Sequence, residues 1–265
     1  MLLWKATFSS GSDDAPNNPS SNLNEPWNKW PRPPGGFLDL GYAYSALAWI
    51  ILSHSFRCGN GLLTHILVAE GYEGHGIDLR ARVSWSHYPE STQAHLHVHA
   101  LDPTTSDNDK SVSYFQPGVF IIGNHADELT PWVPVLSTIH DASGYLSIPC
   151  CSWAFDAKFE RSSTLPYPVP DPDFADNLNL GGDGSNSSSY SMYRIWLGSL
   201  SLHCGWEVES ETLRIPSTRN WAIIGLCRLV DKSLSCVIDD CLLLLFFSSR
   251  NQVGNACRPC LKEKH

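Results

Sequence analysis

The sequence predicts an α/β fold: an open, mostly parallel central sheet with helices on both faces. Three observations predict it. A glycine turn, Gly59-Asn60-Gly61, precedes apolar residues at helical spacing (Leu62, Leu63, Ile66, Leu67), with Gly71 where a helix C-cap glycine belongs. A short apolar strand, Gly76-Ile77-Asp78-Leu79, then ends in a carboxylate about 20 residues after the glycines, where an acid can bind a ribose hydroxyl. Further on, Val119–Ile122 is a short continuous apolar run of the kind buried on both faces of a parallel sheet, and Tyr145–Ile148 reads as the next strand.

The glycine turn needs a strand directly before it. That strand is Phe37-Leu38-Asp39-Leu40-Gly41, and it is separated from Cys58 by Tyr42–Arg57. Joined across that gap, the text reads Phe-Leu-Asp-Leu-Gly-Cys-Gly-Asn-Gly: a strand, an acid and a Gly-x-Gly-x-Gly run. Gly59 and Gly61 permit positive φ and a close backbone approach to a ligand. The joined run resembles motif I of the S-adenosylmethionine (SAM)-dependent methyltransferases. Three further strings follow in order: Ile122 to Pro134 (Ile-Gly-Asn-His-Ala-Asp-Glu-Leu-Thr-Pro-Trp-Val-Pro), Ile148 to Cys151 (Ile-Pro-Cys-Cys) and Leu213 to Asn220 (Leu-Arg-Ile-Pro-Ser-Thr-Arg-Asn). Together with Gly71 to Arg80 they resemble the eukaryotic tRNA (uracil-2′-O-)-methyltransferase family, which methylates a ribose in serine tRNA. The resemblance runs from Phe37 to Gly225. It implies a Rossmann-like class I methyltransferase fold, SAM as cofactor and a tRNA substrate.

Composition sets limits on this reading. A length of 265 residues fits one large domain or two small ones, and a hydrophobic fraction of 42% supports a core. The formal net charge of −9 argues against non-specific nucleic-acid binding by the whole chain, so RNA contact requires local basic clusters or another subunit. The nine cysteines form no disulfide-like framework, which points to reduced thiols and a cytoplasmic protein. The apolar runs Ala46–Leu52 and Cys241–Phe247 are far below the ~20 residues a membrane span needs, so no membrane is expected. The sequence identifies no protein partner and leaves open whether one is needed.

Residues 1–36 are rich in Ser, Asn, Pro and Trp and read as irregular, and Met1 reads as an internal start of a longer protein. Residues 37–225 form the expected methyltransferase domain. The insertion at 42–57 is apolar without a polar face. A retained intron translated in frame and a natural helical insertion both fit, and the intact motif formed by its flanks favours the first. Either way, separating Gly41 from Gly59 is expected to disturb the cofactor loop, because strand and helix must aim together at the ligand. Ala94–Leu101 alternates, with His95, His97 and His99 on one face, and reads as a strand with a solvated histidine face rather than a metal site. Residues 162–189 read as a flexible excursion, and Tyr193, Trp196, Leu197 and Leu200 mark a core-packing helix closed by Gly205. Residues 206–213 and 220–225 read as a terminal strand pair. Residues 226–265 read as an atypical tail, and the lone Cys257-x-x-Cys260 in it is weak evidence for zinc.

The candidate cofactor residues are Asp39, Gly41, Gly59, Gly61, Asp78 and Asn124. Asp102 is a weaker candidate for the adenine. Polar residues beyond the carboxyl end of a buried strand are more often functional than structural, so Asn124, His125, Asp127 and Glu128 are expected to line the methyl-transfer site. Asp127 ranks first as general base and His125 second. A bland role for Asp127 and Glu128, complementing a helix dipole, is a fair rival. Arg214 and Arg219 flank two hydroxyls and could hold an RNA phosphate, and a solvated hairpin loop is the alternative. Cys150 and Cys151 are expected to pack at a pocket wall, and no metal is expected. Three other functions stay open: a SAM methyltransferase with another substrate, an inactive truncated or mis-spliced remnant, and an NAD-binding oxidoreductase. Asn60 and the Asn-His-Ala-Asp-Glu string argue against the last.

Overall fold

β1 (Phe37–Leu40), β2 (Gly74–Asp78), β3 (Leu96–Val98), β4 (Phe120–Asn124) and β5 (Gly144–Ile148) lie parallel in a computed structural model of the chain. β6 (Trp206–Thr212) and β7 (Trp221–Arg228) complete a seven-stranded sheet of order β3-β2-β1-β4-β5-β7-β6. β7 runs antiparallel to both β5 and β6. The structure describes residues 32–41, 60–101, 103, 114–155, 157–160, 167, 169, 173–178, 188–215, 217 and 219–229. The expected insertion, the tail from 230 on, Gly59 and Asp102 lie outside them.

Alternation along the strands explains the two covered faces. Phe37, Phe120 and Ile122 point one way and meet Leu63, Leu67 and Val68 of α1 (Leu62–Ala69). The intervening positions point the other way. A methyl group added at Gly123 would reach within 2.6 Å of Val133 on α3 (Trp132–Ile139), so that glycine lets α3 sit directly on β4. α2 (Glu90–Gln93) leads into β3, and α4 (Phe174–Asn177) precedes α5 (Ser189–His203). Ser188 caps α5 by accepting from the amide of Ser191. α5 is buried along most of its length, and its interior hydroxyls stay bonded: Ser199 donates to the Trp196 carbonyl and Ser201 to that of Leu197.

Two strand boundaries differ from the sequence reading. β3 covers only Leu96–Val98, and the histidine face expected to be solvated is half-buried. His75 of β2 packs 4.9 Å from His97, while Tyr114 covers His97 and His99. β7 runs through Arg228, past the expected end at 225, because Leu226 still packs into the core and Arg228 lies over the Trp206 ring.

Candidate functional site

Strand order reverses between β1 and β4, and in open α/β sheets ligands sit at that point, beyond the carboxyl ends of the strands. A cleft lies there. Asp39 and Gly41 line it from the end of β1, Asn60 to Thr64 from the start of α1, Gly76 to Asp78 from β2, and Asn124 from β4. Five of the six residues expected to hold a cofactor thus meet in one cavity, and the sixth, Gly59, is outside the described residues. Residues 42–59, which separate Gly41 from Gly61 in sequence, lie outside the described residues, and the two glycines face the same cleft. Asn60 explains part of this. Its side chain accepts from the Leu62 amide at the first turn of α1, and its carbonyl accepts from the Ser84 and Tyr88 hydroxyls. The chain after β2 therefore braces the glycine turn.

Close approach decides the glycines. Gly61 has φ of 77°, a left-handed conformation that favours glycine. A methyl group at Gly41 would lie 2.7 Å from Asp78 Oδ2 and 2.9 Å from the Ile77 carbonyl. Asp78 is 1% exposed; it accepts from the Arg80 amide at 3.0 Å and sits 3.6 Å from the Arg82 guanidinium. Asp39 accepts a hydrogen bond from Thr64 Oγ1 at 3.0 Å. Burial raises its pKa to about 6, Thr64 partly offsets this, and the Asp78 charge adds to it. Two acids thus converge on one cleft. Sequence reasoning missed Trp85 and Leu96, which wall the cleft opposite the glycines. An aromatic in a short 3-10 turn (Val83–His87) carries no periodic signal.

Past Asn124 the chain turns sharply. His125 and Asp127 have φ of 58° and 45°, left-handed values rare outside glycine and concentrated at functional turns. Asp127 and Glu128 are each 6% exposed. The Cys150 thiol donates to Asp127 Oδ1 at 3.2 Å. Cys150 is half-buried and Cys151 is exposed. Their sulfurs and an Asp127 oxygen lie within 4.8 Å of one another, but the thiol–carboxylate hydrogen bond already engages two of the three. Both Glu128 carboxyl oxygens are buried without a hydrogen-bond partner. Burial, then the Asp127 charge, raises the Glu128 pKa to about 7, against an opposing pull from Lys158. Neither acid lines the cleft itself. Asn124 is the residue that joins the cleft to this turn.

On the hairpin, Arg214 is exposed, whereas Arg219 folds back over the Tyr190 ring at 4.0 Å. The structure does not bring the two arginines into one contact.

Comparison with known proteins agrees with this geometry. Residues 41–103 match a family described as predicted AdoMet-dependent methyltransferase. The tRNA (uracil-O(2)-)-methyltransferase of Schizosaccharomyces pombe is 38% identical over 187 residues, covering 63% of this chain and 34% of that protein. That of Neurospora crassa is 39% identical over 196 residues, covering 66% and 36%. The probable Drosophila melanogaster enzyme is 34% identical over 210 residues, covering 78% and 32%.

The chain is similar, over most of its length, to tRNA (uracil-O(2)-)-methyltransferases.

The chain spans about a third of the length of these curated relatives. No solved structure matches it. The methyl donor of an AdoMet-dependent family is SAM, and the cleft fits it. A glycine cradle that a single methyl group would fill lies beside two acids, where a ligand bearing sulfonium and ammonium charges would find counter-charge. No helix among the described residues is long and apolar enough to cross a membrane.

Proposed function

We propose that this chain is the catalytic portion of a SAM-dependent tRNA 2′-O-methyltransferase acting on a uridine ribose of serine tRNA. Its domain would run from 37 to the end of β7, with 42–57 as an insertion. The observation that carries the reading is the meeting of Asp39, Gly41, Gly61, Asp78 and Asn124 in one cleft at the sheet's switch point. When bound, SAM supplies a methyl group activated on sulfur. Gly41 and Gly61 would leave room for the ligand, Asp78 would hold its ribose, and Asp39 would offset its positive charge. Asn124 spans from the cleft to the acid turn.

A ribose 2′-hydroxyl is a poor acid, so a positioned base contributes. In our reading that base is Glu128 rather than the first-ranked Asp127. A carboxyl poised near 7 matches its operating pH and accepts a proton efficiently. Burial, and after it the charge of Asp127, keeps the Glu128 pKa high, and Asp127, bonded to Cys150, shapes the turn with His125. The free thiols at Cys150, Cys151, Cys204 and Cys227 support a reducing, cytoplasmic setting.

Transfer of labelled methyl from SAM to serine tRNA, mapped to a 2′-oxygen, tests the reading. Glu128→Gln should cut turnover about 10²–10⁴-fold while leaving SAM affinity intact. Full activity in that variant sinks the assignment of Glu128.

The insertion within the glycine loop favours a second reading, an inactive remnant. SAM calorimetry on the chain and on a version lacking 42–57 separates the two. Binding by the shortened version alone would mean the insertion disables the chain.

A further inference from the structure

Arg194 on α5 is 6% exposed. Its Nη2 donates to Ser191 Oγ at 3.2 Å, but its Nε and Nη1 are buried without an acceptor. Its guanidinium lies 4.1 Å over the Trp221 ring and 5.1 Å from that of Tyr190. Arg219 covers the same Tyr190 ring, and its Nη1 is also buried without an acceptor. No carboxylate among the described residues lies within ion-pair reach of either guanidinium.

A buried cation with unmet donors is costly unless an anion completes it, and a second arginine beside it adds like-charge repulsion. Burial and Arg219 both work against the Arg194 charge, and Tyr190 works for it. Two aromatic rings hold the pair in place, and the unmet donors make the cluster a candidate socket. Guanidinium forks match the oxygens of a phosphate.

The socket adjoins the candidate reaction centre. The Tyr190 hydroxyl donates to the Pro149 carbonyl at 2.9 Å, and the next residue, Cys150, is the one bonded to Asp127. A nucleotide whose ribose met the acid turn would carry its phosphodiester toward the arginines.

We infer that Arg194 and Arg219, framed by Tyr190 and Trp221, seat a backbone phosphate of the RNA next to the methylated ribose. This rests on the tRNA reading above. On a chain of net charge −9, such a local seat gives RNA a foothold that general electrostatics does not. Arg194 contacts the phosphate directly; Tyr190 and Trp221 are positioning residues.

The test is tRNA binding by the chain, followed across a salt series, with Arg194→Met and Arg219→Gln as variants and SAM affinity measured on each. Each variant should bind tRNA about ten- to a hundredfold more weakly, the range for losing a hydrogen bond to a charged group. The slope of log affinity against log salt should fall by about 0.7–0.9 for each lost phosphate contact. SAM affinity should stay at the wild-type value. Arg219 is half-buried, so its variant decides the matter if Arg194→Met fails to fold and loses SAM binding. Wild-type tRNA affinity and salt slope in Arg219→Gln, with SAM binding intact, would overturn the inference alone. A wild-type chain that binds SAM but no tRNA would overturn the tRNA reading together with it.

Discussion

Glu128 and Asp127 are neighbours in sequence and do different work because their surroundings differ. Asp127 accepts from Cys150, while both Glu128 oxygens lack a partner and its carboxyl is held near 7. The rate should therefore rise with pH through about 7, as Glu128 loses its proton and becomes able to accept one. The Asp127 charge contributes to that raised value. In Asp127→Asn, the rising limb of the pH–rate profile should move to lower pH; an unmoved limb would remove Glu128 from the base role. Asp39 makes a second pH prediction. A cationic ligand favours its ionised form, so SAM affinity should weaken as pH falls through about 6, and calorimetry at several pH values checks this. At this scale the sequence pointed to a group of polar residues, and the structure adds how their surroundings differ. Asp127, Glu128 and Asn124 were legible from their place after a buried strand. That Glu128 is the carboxylate without a partner depends on Cys150 reaching Asp127 from another strand end, which no local pattern encodes.

At the scale of elements, the strands that aim the site are those with continuous apolar runs. β4 was readable because burial on both faces leaves no alternation to confuse with a surface strand. β3 was overdrawn. Its alternation is real, but the covering of its histidines by Tyr114 comes from a segment beyond β3, and the ladder to β2 ends at Val98. The packing of α3 against β6 depends on one hydroxyl that the sequence does not advertise. Thr138 Oγ1 lies 3.0 Å from both the Cys204 and the Pro134 carbonyls, either of which can take its proton, and it accepts from Trp206 Nε1 at 2.9 Å, in a buried setting. Thr138→Val keeps the shape and removes both bonds. It should cost about 0.5–1.5 kcal/mol of stability, the net worth of an ordinary hydrogen bond, because Trp206 Nε1 keeps the Pro134 carbonyl at 3.2 Å. Urea denaturation measures it, and an unchanged midpoint would show that the bond carries no net stability.

For the whole molecule, the topology places chemistry from distant parts of the chain at one edge of the sheet. β1 contributes Asp39, β2 Asp78 and β4 Asn124, and the parallel order turns their carboxyl ends the same way. This much was legible, because strand, glycine turn, helix and acid follow a fixed order. The convergence of Gly41 and Gly61 was not: the interruption at 42–57 suggested a broken loop, yet both glycines face one cleft. Nor was Arg194 legible as anything but a helix residue, since its isolation from carboxylates is a property of the packed state.

The central claim is that this cleft holds SAM, and calorimetric titration of the chain with SAM tests it most directly, with Gly41→Ala as the companion. The account predicts one-to-one binding by the chain. It also predicts a loss of at least about tenfold in the variant, whose added methyl would press against Asp78 and the Ile77 carbonyl. No binding by the chain, or equal binding by both proteins, would contradict it.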